Sequence, residues 1–485
     1  MKVRLRFLLT ACLCSALPLD GQTVRMNGST HMRYIELRPL VADSVDATLA
    51  IGEGLLRQTS DGRVVRCLPD EAFCRDMHPG SRTSTIPLIQ DVEVSAWGFG
   101  RGAYVFAQLR GRSALRGSAL WPQADDALDV LAAYAELARG QLRLRAGRQW
   151  KVSGLGFYNF DGIAFEARPF DVASFEVYGG RSLLRGLNES RTGGALESIE
   201  ALAPPVAGLL VGVHARYQPS RLFALGSVYQ VDFRDDGGGL FSELLASDAT
   251  LRLGRIDFDG ALEIDVAGAA INEARLRMRA PLADRFALQA ELRQYRPYFE
   301  LWTIWGAFSP VGYDEARAGV TWADVAGRLI LQGEALYRAY DDTEADESLA
   351  DFRHEGWGAA LNASWSPSSD WRINAGYRAE AGFGAARREA QVGATKQLGE
   401  RATASLQAVA FQRLYEFRLD EGTVLGLGGE ASLRVSERLQ VVAGGASYWH
   451  LHGDALTGSD WNQRRASLRV QWSVGAEPGM LAGQP

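Results

Sequence analysis

The chain has 485 residues, a formal net charge of −6 and 23% charged residues. The acidic balance gives no basic surface for nucleic acid, and the mean hydropathy of −0.12 excludes a bundle of membrane helices. A chain this long usually holds several soluble domains, yet no linker, charge block or change of patterning divides it.

The first residues predict export from the cytoplasm. Three basic residues precede the apolar run 7–17, which is typical of a secretory signal and too short to span a bilayer as a helix. Cleavage fits after Ala16 or after Gly21, and we assign residues 1–21 to the signal. Leu9-Thr10-Ala11-Cys12 also matches a lipoprotein box, so lipidation of Cys12 is an alternative.

Residues 22–89 predict a short strand followed by a long loop that carries Cys67 and Cys74. In an exported chain, two cysteines this close predict a disulfide in an oxidising compartment. A metal or redox pair is the alternative, although the spacing matches neither C-x-x-C nor C-x-x-C-H. A loop of this length usually has a role, and we expect it to fold into or over the barrel that follows.

From residue 90 to residue 473 the chain repeats segments of about ten residues in which apolar and polar side chains alternate. Such alternation gives a strand one apolar and one polar face. In segment 254–266, apolar residues alternate with Asp257, Asp259, Glu263 and Asp265. In the next segment they alternate with Arg275, Arg277 and Arg279.

The connections between these segments are alternately short, as at Arg139-Gly140, and long, as at residues 297–314 and 341–353. Short periplasmic turns and long outer loops are typical of an outer-membrane barrel. We therefore predict an all-β, transmembrane, antiparallel up-and-down β-barrel of about 20 to 22 strands over residues 90–473, followed by a tail at 474–485. A large soluble antiparallel protein is the alternative. The last strand places Trp472 before this tail, whereas such barrels commonly end on an aromatic residue.

The polar faces predict a charged lumen, in which the acids of segment 254–266 oppose the arginines of the next strand. Opposed charges of this kind would set a transverse field that favours polar solutes, although they could equally serve only to hydrate the wall. The candidate pore-lining residues are Arg143, Arg145, Arg216, Asp257, Asp259, Glu263, Asp265, Arg275, Arg277, Arg279, Arg328, Glu334, Arg372, Arg378 and Arg469. Further inward candidates are Glu291, Arg293, Arg338 and Glu380.

Few residues suggest other chemistry. His450 and His452 alternate on one strand face, but no third metal ligand has convincing spacing, so we expect no metal and no cofactor. No nucleophile elbow, phosphate-binding loop or zinc-protease motif is present in the sequence. We therefore expect no enzyme, with a barrel enzyme or a surface adhesin as remote alternatives.

The segment Leu142–Gln149, followed by Phe160-Asp161-Gly162 and by Gly179-Gly180, resembles the R-x-G-R-Q … D-G layout of porin-like and alginate-export-like barrels. This resemblance covers about 40 residues and implies passive passage of small polar or anionic solutes. The large barrel and its cysteine-bearing amino-terminal stretch also resemble, more weakly, the barrel sheath of porin–cytochrome conduits. Since the chain has no haem motif, that function would require a multihaem cytochrome inside the lumen.

The sequence thus predicts an outer-membrane channel for small hydrophilic solutes, including anionic ones, with the cytochrome sheath as the alternative. The expected partners are outer-membrane lipid and polar solutes, with a periplasmic or lumen-filling protein as an alternative. A loop folded inside an otherwise open barrel would favour the channel. A neighbouring multihaem cytochrome gene would favour the sheath.

Overall fold

A computed structural model shows that the predicted barrel is closed. Strand β1 (Thr23–Leu37) pairs antiparallel with β7 (Thr83–Trp97) on one side and with β27 (Trp461–Gly475) on the other, and the strands from β7 to β27 pair in chain order. The sheet has 22 strands, so the predicted fold and strand number are confirmed. The structure describes residues 23–37, 40–52, 54, 56–60, 64–68, 72–79, 81–100, 102–117, 128–183, 208–234, 239–296, 312–341, 355–382, 385–414, 422–452 and 461–475.

The barrel strands are 10 to 15 residues long. They are β1 (Thr23–Leu37), β7 (Thr83–Trp97), β8 (Ala103–Arg116), β9 (Leu128–Arg139), β10 (Leu142–Ser153), β11 (Gly156–Phe170), β12 (Ala173–Ser182), β13 (Gly208–Tyr217), β14 (Phe223–Arg234), β15 (Leu240–Leu253), β16 (Ile256–Asp265), β17 (Ala270–Ala283), β18 (Phe286–Tyr295), β19 (Tyr313–Ala323), β20 (Leu329–Tyr340), β21 (Glu355–Ser368), β22 (Trp371–Gly382), β23 (Ala385–Leu398), β24 (Ala402–Leu414), β25 (Gly422–Ser436), β26 (Leu439–His452) and β27 (Trp461–Gly475).

Large apolar side chains cover the outer face of the barrel. Leu361 and Leu406 are 65% and 67% exposed, which would be unfavourable in water but suits contact with lipid. On β21 the exposed Trp357 and Trp365 lie eight residues apart, which is about 27 Å along the strand and about 21 Å along the membrane normal at a 40° tilt. These two aromatic levels match the girdles that border the apolar band of an outer-membrane barrel.

The two ends of the barrel differ in the length of their connections. At the end that contains Thr23 and Gly475, connections such as 140–141, 284–285 and 437–438 are tight turns. Most connections at the opposite end are longer, although residues 154–155 form a turn there. Short turns belong to the periplasmic side and long loops to the outside, so we call these the periplasmic and the outer end.

A small second sheet interrupts the first outer loop. Its five strands are β2 (Leu40–Asp46), β3 (Ala50–Ile51), β4 (Leu56–Thr59), β5 (Val64–Arg66) and β6 (Phe73–Pro79). The predicted disulfide is confirmed, since Cys67 and Cys74 are bonded and lie with Val65 in a buried apolar cluster. The Asp46 carboxylate accepts hydrogen bonds from the hydroxyl and the N–H of Thr48 at 2.7 and 2.9 Å, which lowers the pKa of Asp46. The sequence had predicted only a long loop here.

The barrel is wide enough to enclose a lumen. Strand spacing and tilt give 22 strands a backbone diameter of about 44 Å, which side chains alone cannot fill. The barrel includes β1 and begins its second strand at Thr83, ahead of residue 90. Within the described residues, no helix is long and apolar enough to cross a membrane. The predicted signal at 1–21 and nearly all of the predicted tail at 474–485 lie outside the described residues.

Candidate functional site

Strand register identifies the side chains that line the lumen. In an antiparallel pair, directly opposed residues share a face of the sheet. Asp257 lies opposite Arg279, and Asp259 lies opposite Arg277, so the predicted acids and arginines form facing ladders. The other face of the same strands carries Phe258, Met278 and similar apolar residues. The charged face is therefore the lumen face.

Register continues this face around the whole barrel. Of the predicted pore-lining residues, those on the lumen face are Arg143, Arg145, Arg216, Asp257, Asp259, Glu263, Asp265, Arg275, Arg277, Arg279, Glu334, Arg372, Arg378 and Arg469. Arg328 lies outside the strands, in the periplasmic turn between β19 and β20. The position of the other residues on the lumen face agrees with a pore-lining role, which remains a prediction.

The facing ladders do not pair with each other. Asp257 accepts from Arg252 on β15 at 2.6 Å, and Arg277 binds Glu291 on β18 at 2.6 Å. Asp259, Arg275 and other predicted residues have no ion pair within the described part of the chain. The lumen wall therefore presents charges that are free to meet solutes. Among the candidates, the arginines without an ion pair to any described residue include Arg275, Arg279, Arg372 and Arg378.

A buried carboxylate organises the charges of β19 to β22. The side chain of Glu315 is only 1% exposed and accepts from Arg317 at 2.9 Å and from Arg338 at 2.6 Å. Arg338 also reaches Glu380 at 2.5 Å. It can do so because the strand between them, β21, presents Gly356 and Gly358 to the lumen. The second partner of Arg317 is Glu334, at 3.3 Å.

The sequence missed Glu315 and Arg317. They lie in β19, whose first two residues fall within the interval 297–314 that the sequence predicts to be a long loop, so inward charges on this strand were not predicted. The alternation Glu315, Arg317, Gly319 against Ala316, Ala318, Val320 is the signal that could have revealed them. The network ties four strands of the wall together and leaves few of its charges free.

A hairpin lies inside the lumen. We call residues 149–160, the outer ends of β10 and β11, the inner hairpin. β10 pairs with β9 only as far as Arg148 opposite Ala133, and β11 pairs with β12 only from Phe160 onwards. Within the inner hairpin the two strands pair with each other up to Ser153 opposite Gly156. This part of β10 and β11 has therefore left the barrel wall.

The Lys151 side chain shows the direction in which the inner hairpin goes. Its ammonium group forms an ion pair with Glu176 on β12. In a straight wall, Lys151 would lie beyond the level of Ser182, which is itself six residues or about 20 Å from Glu176 along β12. A lysine side chain cannot cover that distance. The inner hairpin must therefore fold back along the lumen face.

Apolar contacts confirm this fold-back. The tip residue Gly154 lies against β15, because a Cβ atom at Gly154 would be 2.9 Å from the Cβ of Ala246. Ala246 belongs to the lumen face, opposite Glu263. The Phe160 ring stacks on Tyr178 with centroids 5.6 Å apart. Leu155 and Phe160 of the inner hairpin thereby bury an apolar patch of the wall, formed by Ala164, Tyr178, Leu210, Val228, Leu244 and Ala246.

Glycines form the hinge of the inner hairpin. Gly147 lies opposite Gly162, and Gly162 lies opposite Gly180. Gly147 has a φ of 126°, which residues with a side chain rarely adopt. A Cβ atom at Gly162 would overlap the carbonyl oxygen of Gly179. The backbones can therefore bend and approach only because no side chains are present.

Side chains next to the hinge close the gap that the inner hairpin leaves in the wall. Arg148 donates to both carboxylate oxygens of Asp161 at 2.8 and 2.9 Å, and also to the carbonyl of Val130 at 2.9 Å. Asn159 donates to the carbonyl of Leu131 at 3.3 Å. These carbonyls lie where the β9–β10 ladder has ended. The Arg-Gln and Asp-Gly motifs of the sequence thus belong to the hinge.

The inner hairpin presents its other face to the lumen. Trp150 and Val152 alternate with Lys151 and are 44% and 67% exposed. A hairpin of two strands occupies about 100 Å² of the lumen cross-section, since strands lie about 4.8 Å apart and a packed sheet is about 10 Å thick. Among the described residues, no group of three metal-binding side chains could hold a metal ion.

Comparison with known proteins supports the fold. No protein-family model matches the sequence, and no curated protein matches it. A point mutant of the ferric enterobactin receptor PfeA from Pseudomonas aeruginosa is similar over 93% of this chain and 80% of its own, at 10% identity and a TM-score of 0.51. A BenF-like porin from Pseudomonas fluorescens Pf-5 is similar over 94% of this chain and 100% of its own, at 9% identity and a TM-score of 0.43.

The PfeA comparison concerns the fold alone, which both chains share. Together with the closed barrel, its apolar outer band and its aromatic girdles, it makes this chain a β-barrel of the outer membrane.

Proposed function

We propose that this barrel is a passive channel for small hydrophilic solutes. The observation that carries the proposal is the inner hairpin, which lies inside the barrel and narrows the lumen without being a separate plug domain. Such a loop inside the barrel is expected of a channel, and it is not expected of a sheath that encloses another protein. The charged lumen face supports a water-filled path.

The anchoring of the inner hairpin indicates a fixed constriction. Lys151 and Glu176 are only 16% and 15% exposed, and Phe160 is fully buried. Releasing the hairpin would break a shielded ion pair and expose the apolar patch beneath it, both of which cost free energy. The hairpin therefore stays against the wall while solutes pass its exposed face.

The unpaired charges suggest a modest preference for anions. Among the predicted pore-lining residues, the arginines that lack an ion pair within the described residues, such as Arg275, Arg279, Arg372 and Arg378, outnumber the acids that lack one, which are Asp259, Glu263 and Asp265. Free guanidinium groups on a lumen wall attract anions, and the attraction weakens with added salt. We propose that small anionic solutes pass more readily than cations of equal size.

Conductance in a planar bilayer tests this function. Purified, folded protein is expected to give stable steps, and a salt gradient is expected to give a reversal potential of the sign for anions. Replacing residues 150–159 with Asn-Gly, which joins the paired Gln149 and Phe160 by a two-residue turn, removes most of the constriction. The step should then grow by about one tenth, because about 100 Å² returns to a lumen of about 900 Å².

The control is the same recording under reducing conditions, since the disulfide Cys67–Cys74 lies in the small sheet and not in the barrel. Reduction should leave the step size unchanged. If folded protein gave no conductance at all, the channel proposal would be wrong, and a partner protein that fills the lumen would be the next hypothesis.

A further inference from the structure

The lumen wall opposite the predicted charge ladders contains a depression of about 470 Å³. It lies over β23 to β27 and β1, and we call it the wall trough. Its floor is low because Gly428 and Gly444 occupy lumen-face positions, whereas the side chains of Val409 and Tyr448 lie over the neighbouring Gly426. Sites for small ligands typically have volumes of roughly 300 to 1,000 Å³. The wall trough is therefore large enough for a solute to rest in.

Charges of opposite sign border the wall trough on its two sides. Arg33 and Arg465 lie on β1 and β27, whereas Glu389 and Glu430 lie on β23 and β25. Within the described residues, none of these four side chains has an ion pair. Arg33, Arg465 and Glu430 are also exposed. The two signs are thus held apart and are both open to a ligand.

Register gives the separation of these charges. Glu430 lies opposite Gly444, Gly444 opposite Ser467, and Ser467 opposite Arg33. Three strand spacings separate the backbones of Glu430 and Arg33 by about 14 Å. Since the backbone radius is about 22 Å, charged groups that project about 6 Å into the lumen converge to about 10 Å from each other. An extended tripeptide has about this length between its termini.

We propose that the wall trough binds short zwitterionic peptides in extended form. The ligand's carboxylate meets Arg33 and Arg465, and its ammonium group meets Glu430. Ser467 on β27 lies between the two charged sides and offers a hydrogen bond to the peptide groups. This inference rests on the proposed function only in so far as the lumen must admit the peptide.

Arg465 is held ready for such a ligand. Its Nε donates to the Gln463 side chain at 2.7 Å, and its guanidinium carbon lies 4.9 Å from the centre of the Tyr448 ring. These contacts fix the long side chain without neutralising its charge. Less side-chain freedom is then lost on binding, which favours affinity.

Equilibrium dialysis against the full-length protein in detergent tests the site without requiring conduction. The probe is labelled triglycine, and the neutral comparison is N-acetyl-triglycine amide, which has the same backbone without charged ends. Triglycine should bind the more tightly. Glu430→Gln and Arg33→Gln should each weaken triglycine binding by roughly threefold to tenfold and leave the capped peptide unchanged.

Asp259→Asn and Arg279→Gln are the matched controls, because they remove the same charges from the lumen face outside the wall trough. Both should bind triglycine as the unmodified protein does. Equal binding of the two peptides, equal losses in the control variants, or no binding would overturn the inference.

Bilayer recordings separate this inference from the proposed function. Channels that conduct while triglycine fails to bind in dialysis would overturn the wall trough as a site but leave the channel in place. Binding in dialysis by a protein that never conducts would support the site and overturn the channel. If both hold, triglycine should interrupt the current for shorter times in Glu430→Gln than in Asp259→Asn.

Discussion

The inner hairpin makes a prediction that a single cross-link can test. Gly154→Cys together with Ala246→Cys places two thiols at the hairpin tip and on the lumen face of β15. The positions approach closely, since a Cβ at Gly154 would lie 2.9 Å from that of Ala246. With small backbone adjustment this is within reach of a disulfide. In an upright hairpin, four strand spacings would separate β11 from β15, a distance of at least about 19 Å.

The assay is oxidation of the double variant in outer membranes, followed by digestion and mass spectrometry of the linked peptides. We expect near-complete cross-linking that reducing agent reverses. Gly154→Cys with Ala249→Cys is the control, because Ala249 lies on the same strand but on its outer face. Efficient cross-linking in the control, or none in the lumen-facing pair, would show that the hairpin does not fold back.

Three further results are expected. Glu315→Gln should lower the free energy of unfolding in urea by about 2 kcal/mol, because Arg317 and Arg338 each lose a charged acceptor but keep a second carboxylate. Asp259→Asn, the control, should change the free energy of unfolding by less than about 0.5 kcal/mol. Gly162→Val should reduce the fraction of folded, heat-modifiable barrel on gels, because the new side chain overlaps the backbone of β12. Gly393→Ala should not, because its Cβ would make only an ordinary contact, 3.5 Å from the carbonyl oxygen of Leu406. Loss of the disulfide through Cys67→Ser should destabilise the small sheet by about 2.5 kcal/mol for so short a loop, seen as faster proteolysis at residues 40–79 while the barrel stays intact.

Each of these three predictions has its own contradicting outcome. A neutral Glu315→Gln would mean that the carboxylate is not buried in the folded barrel. A normally folded Gly162→Val would place the hinge elsewhere. Unchanged proteolysis in Cys67→Ser would show that the small sheet does not depend on the covalent link.

The sequence by itself determined the barrel and its two faces. Side chains of a strand alternate strictly, so the spacing of Asp257, Asp259 and Glu263 assigned them to one face before any pairing was known. Short and long connections predicted which end faces the periplasm. These are local properties of the chain, and they were therefore readable from single segments. The disulfide was predictable for the same reason, since its cysteines are only seven residues apart.

Only the tertiary structure decided what lies inside the barrel. Residues 149–160 alternate like any other strand pair, and their fold-back depends on contacts of Lys151 with Glu176 and of Gly154 with Ala246. The sequence marked the glycines of the hinge but gave no direction for the bend. Likewise, Arg338 reaches Glu380 only because a strand with glycines happens to lie between them. Such contacts join residues far apart in the chain, so no local pattern records them.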